Sequence, residues 1–144
     1  MGNRDTGARW NSGRGRGVVY ASLSVATCVL ETYVHLGPAL RARLPDNLML
    51  VEIDLPADAG VVRLGREQIP LDADQPMQDG RTWYQQTGDA WLEARVALAL
   101  IAPSAVVPQE LNAMLNPAHP RMADVRIASS RPFRFDSRLA TRLA

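Results

Sequence analysis

The chain has 144 residues, of which 47% are hydrophobic, and a formal net charge of +1 from 16 basic and 15 acidic side chains. That length suits one domain with a real core, and the near-neutral balance leaves no electrostatic case for bulk binding to nucleic acid. No apolar run approaches the length of a membrane span, and neither a signal peptide nor a basic amphipathic leader stands at Met1, so no membrane contact and a cytoplasmic location are expected. The single cysteine, Cys28, excludes an intramolecular disulfide and suits a reducing compartment. One cysteine and two distant histidines argue against a structural zinc site, and no metal is expected. Every basic residue is an arginine.

In chain order, Met1 to Thr6 is polar and expected to fray. Ser12 to Gly17 reads Ser-Gly-Arg-Gly-Arg-Gly. It is too short for a P-loop and lacks the lysine, so a hairpin tip is the expectation, with an Arg-Gly nucleic-acid segment as the alternative. Salt-dependent affinity for RNA or DNA would mark that alternative. Val18 to Ala21 reads as a short strand with Tyr20 on one face. Ser22 or Ser24 can cap the helix that follows, and Gly37-Pro38 closes it just after His35. Ala26, Val29, Leu30, Tyr33 and Val34 recur at helical spacing and are the expected buried stripe. Glu31 falls roughly 60° outside that stripe, beside Thr27 and near His35.

Leu40 to Leu44 suggests a short helical turn, broken by Pro45-Asp46-Asn47. Leu48 to Leu55 is a predicted strand, with Leu48, Leu50, Glu52 and Asp54 sharing one face. The region from Pro56 to Gly80 is loop-rich, with a short strand expected at Val61 to Leu64. Thr87 or Asp89 can cap a helix through Ala90 to Arg95. Val96 to Ile101 is a continuous apolar run ended by Pro103, which predicts a buried strand. Ser104 follows, with a further strand expected at Ala105 to Val107. Glu110 to Pro120 reads as a turn-rich link. Val125 to Ala128 and Pro132 to Asp136 predict two last strands, and Arg138 to Ala144 a flexible polar tail.

The residues alone leave the chemistry open. Arg9, Tyr20 and Glu31 lie on consecutive small elements, and a carboxylate at the edge of a core can face a cleft. Equally, Arg9 could pair with Glu31, each could be a solvated surface charge, and Tyr20 could be an ordinary strand aromatic. Ser104 between two prolines has no His–Asp signature of a hydrolase triad and reads as a turn residue.

Several ordered blocks go further. Gly7-Ala8-Arg9-Trp10-Asn11-Ser12, Val18-Val19-Tyr20-Ala21-Ser22 and Glu31-x-x-Val34-His35-Leu36 open the series. Gly88-x-x-Trp91-Leu92, Pro103-Ser104-Ala105-Val106-Val107-Pro108, Asn112…Leu115-Asn116-Pro117-x-His119-Pro120 and Phe133-x-Phe135-Asp136-x-Arg138-Leu139 continue it. From Gly7 to Leu139 this order resembles the RES-domain proteins, toxins of bacterial Xre–RES toxin–antitoxin pairs. Ala113 departs from the pattern, where the family often has an aromatic. The family also usually carries a strand ahead of Gly7 that this chain begins too late to supply in full. Either the sheet lacks an edge or the native start lies upstream.

The resemblance implies an α+β, ADP-ribosyltransferase-like single domain over residues 1–144, with a split mixed β-sheet core flanked by short helices. It implies NAD+ as the substrate, cleaved at the nicotinamide–ribose bond. Glu31 would then stabilise the ribosyl cation, Tyr20 would pack on the nicotinamide, and Arg9 would hold a phosphate or ribose. Ser104 would hydrogen-bond the nicotinamide end or help to seat the acceptor, and Asn112 would be a polar wall. All are expected to converge on one cleft, with Arg9 nearest Glu31. As a type II toxin the chain is expected to bind an Xre-type antitoxin, with DNA contact only through that partner. With water or phosphate as acceptor the protein depletes NAD+; with a protein side chain it is a mono-ADP-ribosyltransferase. A catalytically silent antitoxin-binding module is the reading from a different class.

Overall fold

The computed structural model describes residues 3–141, with the side chains described from residue 4. In chain order the elements are α1 (Asn3–Thr6), β1 (Val19–Ser22), α2 (Val25–His35), α3 (Pro38–Ala42), β2 (Leu48–Asp54), β3 (Val61–Arg63), α4 (Trp83–Ala94), β4 (Ala99–Pro103), β5 (Leu111–Leu115) and β6 (Arg126–Phe133). Short 3-10 turns occupy Arg66–Gln68, Pro120–Asp124 and Ser137–Leu139. The polar ends expected at 1–6 and 138–144 lie partly outside the described residues; within them, Asn3–Thr6 is helical and Tyr33 donates its hydroxyl to the Leu139 carbonyl at 2.8 Å.

Among the described residues the strands form two sheets. One has four strands in the order β1-β5-β4-β3, and the other pairs β2 with β6. In the larger sheet β3 runs parallel to β4, whereas β4–β5 and β5–β1 are antiparallel. The split, mixed sheet with short helices is the α+β arrangement the resemblance implied. β4 lies between β5 and β3 and is buried on both faces, which is why it is written as an unbroken apolar run; Ala99, Leu100, Ile101 and Ala102 are all buried.

Register ties this core to the cleft described below. Tyr20 pairs with Met114, which pairs with Leu100, while Ser22 pairs with Asn112, which pairs with Ala102. Paired residues share a sheet face, and alternate residues along a strand return to it. One face therefore carries Leu100, Ala102 and Met114 in the core and, at its other end, the polar Ser22 and Asn112. Trp10, Tyr84, Trp91 and Leu92 pack against the apolar end. The Trp10 ring meets Tyr84 edge-on at 5.0 Å and Trp83 at 6.4 Å.

Four sequence expectations are corrected. The segment read as a turn-rich link contains β5, a central strand, because Asn112 and Asn116-Pro117 disguise a five-residue strand whose last three side chains are buried. The strand expected at Ala105 to Val107 is a turn, closed by Val106 and Val107 N–H groups donating to Ser104 Oγ. The two last strands are one, since β6 continues through Pro132 to Phe133 opposite β2, with a bulge where its register shifts between Glu52 and Ile53. Thr82, not Thr87 or Asp89, caps α4, through a reciprocal pair of hydrogen bonds with Gln85.

Where α4 crosses the Trp10 segment, no side chain fits. A Cβ on Gly88 would lie 1.9 Å from the Trp10 carbonyl oxygen. Gly37, by contrast, has open space at its Cβ. Gly88→Ala should therefore lower stability by about 3 kcal/mol or more through forced backbone displacement, while Gly37→Ala should change it by less than about 1 kcal/mol. Thermal unfolding of the two variants beside the parent chain measures the difference.

Candidate active site

A cleft of about 830 Å³ opens between α2, the Ala8–Trp10 segment and the polar end of β1 and β5. Arg9, Tyr20, Ser22, Glu31, His35 and Asn112 are among its lining residues. The geometry begins with α2. Ser24 caps the helix by accepting the Thr27 N–H at 3.2 Å, and Thr27 is the buried residue of the helix.

The expected apolar stripe is not what α2 turns inward. Ala26, Leu30 and Val34 are exposed, while Val29 and Tyr33 are half-buried. The inward edge is Ser24, Thr27 and Glu31, because the neighbouring sheet end is polar and offers hydrogen-bond donors rather than apolar surface. Tyr33 packs its ring edge-on against Phe135 at 5.9 Å, on the side away from the cleft.

Glu31 Oε1 accepts two hydrogen bonds of 2.6 Å, one from Ser104 Oγ and one from Asn112 Nδ2. Each donor is itself held. Asn112 Oδ1 accepts from the Ser22 hydroxyl at 2.7 Å, which sets the amide with its NH₂ toward Glu31. Ser104 Oγ accepts the Val106 and Val107 N–H groups at 3.1 and 3.0 Å, so its own proton is left to donate to Glu31. Ser104 is buried behind the carboxylate and is not among the cleft-lining residues. Its geometry is that of a residue orienting Glu31. Among the described residues, Glu31 Oε2 takes no protein donor, and the side chain lines the cleft.

Tyr20 presents its ring to the cleft while its hydroxyl is fixed behind it. The hydroxyl accepts the Trp10 N–H at 3.0 Å and donates to Asn11 Oδ1 at 3.2 Å. Burial pushes the phenol above its ordinary pKa, and the Trp10 N–H and the Arg9 charge oppose that only in part. The phenol is therefore neutral near pH 7.

Arg9 is not the nearest neighbour of Glu31. It forms an ion pair with Asp74 at 2.9 Å and lies over the Tyr84 ring at 3.8 Å. Both charges are well exposed, so the pair holds weakly and can exchange for a stronger anion. The stacking on Tyr84 keeps the guanidinium plane at the rim. All five candidates thus belong to one region: Arg9, Tyr20, Glu31 and Asn112 in the lining, and Ser104 one hydrogen bond behind.

The residues that support the site carry weak sequence signals. Asp89, read as a helix cap, is buried inside α4 and accepts from the Ser12 N–H at 3.0 Å, the Ser12 hydroxyl at 2.6 Å and Arg81 at 3.0 Å. It locks the segment that carries Arg9 and Trp10 onto α4. A buried polar position within the motif Gly88-Asp89-x-Trp91 was the available signal. Ser22, a cap candidate by sequence, instead holds Asn112, and Asn11, visible in the sequence only as part of the Gly7–Ser12 block, holds Tyr20. Among the described residues no group of three or more His, Cys, Asp or Glu side chains could hold a metal ion, and no helix is long and apolar enough to cross a membrane.

A split α+β sheet with a carboxylate cleft at its polar end defines the structural class. Residues 1–136 match the model of the RES domain, and the chain belongs to that family. Among similar curated proteins is the "Prs ADP-ribosylating toxin" of Sphingobium sp. (strain YBL2), 36% identical over 142 residues, covering 96% of this chain and 83% of the relative. Another is the "Toxin Res" of Yersinia enterocolitica serotype O:8, 32% identical over 136 residues and covering 92% and 84% of the two chains. A chain from the crystal structure of the M. tuberculosis MbcT–MbcA toxin–antitoxin complex shares the fold, with a TM-score of 0.70 at 21% identity over 91% of this chain and 74% of its own.

The stability that Asp89 contributes depends on pH. Burial alone would raise its pKa, but the Ser12 hydroxyl, the Ser12 N–H and Arg81 outweigh burial and hold the carboxyl below the usual range. A depressed folded pKa gives stability that is present above the unfolded value of about 4 and lost as pH falls through the folded one. The parent chain should therefore weaken in denaturant titrations below about pH 4. Asp89→Asn should be about 2 to 3 kcal/mol less stable at pH 7 and show a flatter acid limb.

Proposed function

We propose that the chain is the toxin of a toxin–antitoxin pair and consumes NAD+ by cleaving its nicotinamide–ribose bond. The observation that carries the reading is the single oriented carboxylate of Glu31 in a cleft of dinucleotide scale beside an aromatic ring and an arginine. As the C1′–N bond breaks, its electron pair goes to the pyridinium nitrogen, so nicotinamide leaves as a neutral ring and needs no acid. The positive charge moves to the ribose ring, as in glycoside hydrolysis. Glu31, fixed before the reaction by Ser104 and Asn112, sets a negative charge where that cation develops. Water attacking C1′ loses one proton, giving ADP-ribose, nicotinamide and H+; inorganic phosphate gives ADP-ribose phosphorylated at that same carbon instead.

The Tyr20 ring offers the stacking surface for nicotinamide, held in place by its anchored hydroxyl. Arg9 exchanges Asp74 for a dinucleotide phosphate, for which a guanidinium fork is well suited. Asn112 and Ser104 act through Glu31. A second reading is transfer of the ADP-ribosyl group to a protein side chain, favoured by the name of the Sphingobium relative. Both readings share the bond-breaking step and differ only in what captures the cation. For the partner, an Xre-type antitoxin is proposed, in keeping with the toxin–antitoxin title of the structural neighbour. Its expected contact is an acidic or carboxylate-terminated segment on the Arg9 rim.

Incubating the purified protein with NAD+ labelled in the adenylate, and resolving products by mass, tests the reading. Free nicotinamide with soluble ribosyl product supports depletion; label retained on protein supports transfer. Intact NAD+ after incubation, with and without inorganic phosphate, would overturn the proposal. Glu31→Gln should lower nicotinamide release by about 100-fold or more while the melting temperature stays close to that of the parent, since the amide keeps an acceptor oxygen for Ser104 and Asn112 but loses the negative charge. Arg9→Lys should not restore the turnover lost in Arg9→Ala, because an ammonium lacks the planar fork. In cells, induction of the chain alone should arrest growth, and co-expression of the adjacent gene should relieve the arrest.

A further inference from the structure

Glu110 is outside the cleft lining, in the turn that joins Ser104 to β5, yet it touches both elements that present Glu31. Its carbonyl accepts the Ser104 N–H at 2.8 Å, and its own N–H donates to the Val107 carbonyl at 2.9 Å, closing the turn. Its side chain reaches α2. Glu110 Oε2 accepts from the Thr27 hydroxyl at 3.2 Å and from the Ser24 hydroxyl at the same distance, while those two hydroxyls stand 2.8 Å apart. Thr27 is buried and lies one helical turn before Glu31 on the inward edge of α2. Two residues beyond Glu110 is Asn112, the other donor to Glu31.

One residue therefore links the helix that carries the carboxylate, the turn that carries its hydroxyl donor and the strand that carries its amide donor. Those three must stay in register for two 2.6 Å hydrogen bonds to meet on a single oxygen. A shift or rotation of α2 by a fraction of a turn would separate Glu31 from both donors without unfolding the helix. We propose that Glu110 is a positioning residue for the reaction, holding α2 against the Ser104 turn so that the Glu31 carboxylate points into the cleft. This rests on the NAD+-cleaving reading above. A carboxylate suits the task because it takes donors at the first turn of α2, where backbone N–H groups lack partners and the helix end is positive.

A residue that merely stabilises the helix terminus would change the folded fraction but not the turnover of folded molecules. The test compares the parent chain with Glu110→Ala, Glu110→Gln and Thr27→Val, scoring nicotinamide release from NAD+ per folded molecule. Glu110→Ala should lower kcat by about tenfold with KM within about twofold, and Glu110→Gln, which keeps an acceptor oxygen, should recover to within about threefold of the parent. Thr27→Val removes the hydroxyl at constant shape and should reproduce the loss even where Glu110→Ala fails to fold. A second readout does not need turnover: the chemical shift of the Glu31 carboxyl carbon in the NMR spectrum at one fixed pH, which reports whether Ser104 and Asn112 still donate to it. That shift should move in Glu110→Ala and Thr27→Val and stay near the parent in Glu110→Gln. An unchanged kcat and an unchanged Glu31 shift in Thr27→Val would overturn the proposal, as would equal losses in Glu110→Ala and Glu110→Gln. A parent chain that leaves NAD+ intact would defeat the functional reading alone, and the Glu31 resonance would still decide the role of Glu110.

Discussion

Two hydrogen bonds on one carboxylate oxygen set the layout of this protein. Glu31 Oε1 receives Ser104 from the turn after β4 and Asn112 from β5, so a helix near the start of the chain is fixed to strands from its second half. Charge-assisted hydrogen bonds of this length are among the stronger polar contacts available to a protein, and they repay the cost of turning a carboxylate toward the interior. The cost is kept moderate because Glu31 is only half-buried, at the wall of an open cleft. The layers beneath it serve the same end. β4 and β5 are held by an apolar core of Leu100, Ala102 and Met114, and the polar end of that same face is where the Glu31 cleft opens.

Much of the fold was legible in the sequence, and the reasons are specific. Ser24 and Gly37-Pro38 bracket α2 because capping and helix-stopping depend on local chemistry. Four of the six strands, β1 to β4, stand out because β-rich or continuous apolar runs are written into them. β5 escaped because three of its roles pull against one pattern. Asn112 serves the site, Met114 and Leu115 serve the core, and the following Asn116-Pro117 looks like a turn. No short window reveals that such a mixed segment is central to a sheet.

The site was legible to a different depth. Arg9, Tyr20, Glu31, Asn112 and Ser104 do gather in one region, but the ordered blocks said nothing of how. Helical periodicity pointed α2 the wrong way, since a hydrophobic stripe predicts the inward face only when the surface opposite is apolar. Here the facing surface is Ser104, Glu110 and Asn112. The roles of Ser104 and Arg9 likewise depend on partners that are remote in sequence. Ser104 is bound by Val106 and Val107 N–H groups and by Glu31, while Arg9 stacks on Tyr84 and pairs with Asp74.

The contact between Gly88 and the Trp10 carbonyl, together with the buried Asp89–Ser12 bonds, has a bearing on how a ligand enters. It makes the Ala8–Ser12 segment part of the same cooperative block as α4 and the core. Such a block breathes only when much of the domain opens with it, so its amides should exchange among the slowest. The wall of the cleft bearing Arg9 is thus a fixed jamb. The facing lip, formed by the exposed side chains of Val34, His35 and Ala105, has no comparable buried clamp among the described residues. Whatever adjustment an entering ligand needs is therefore left to that lip rather than to the wall that bears Arg9.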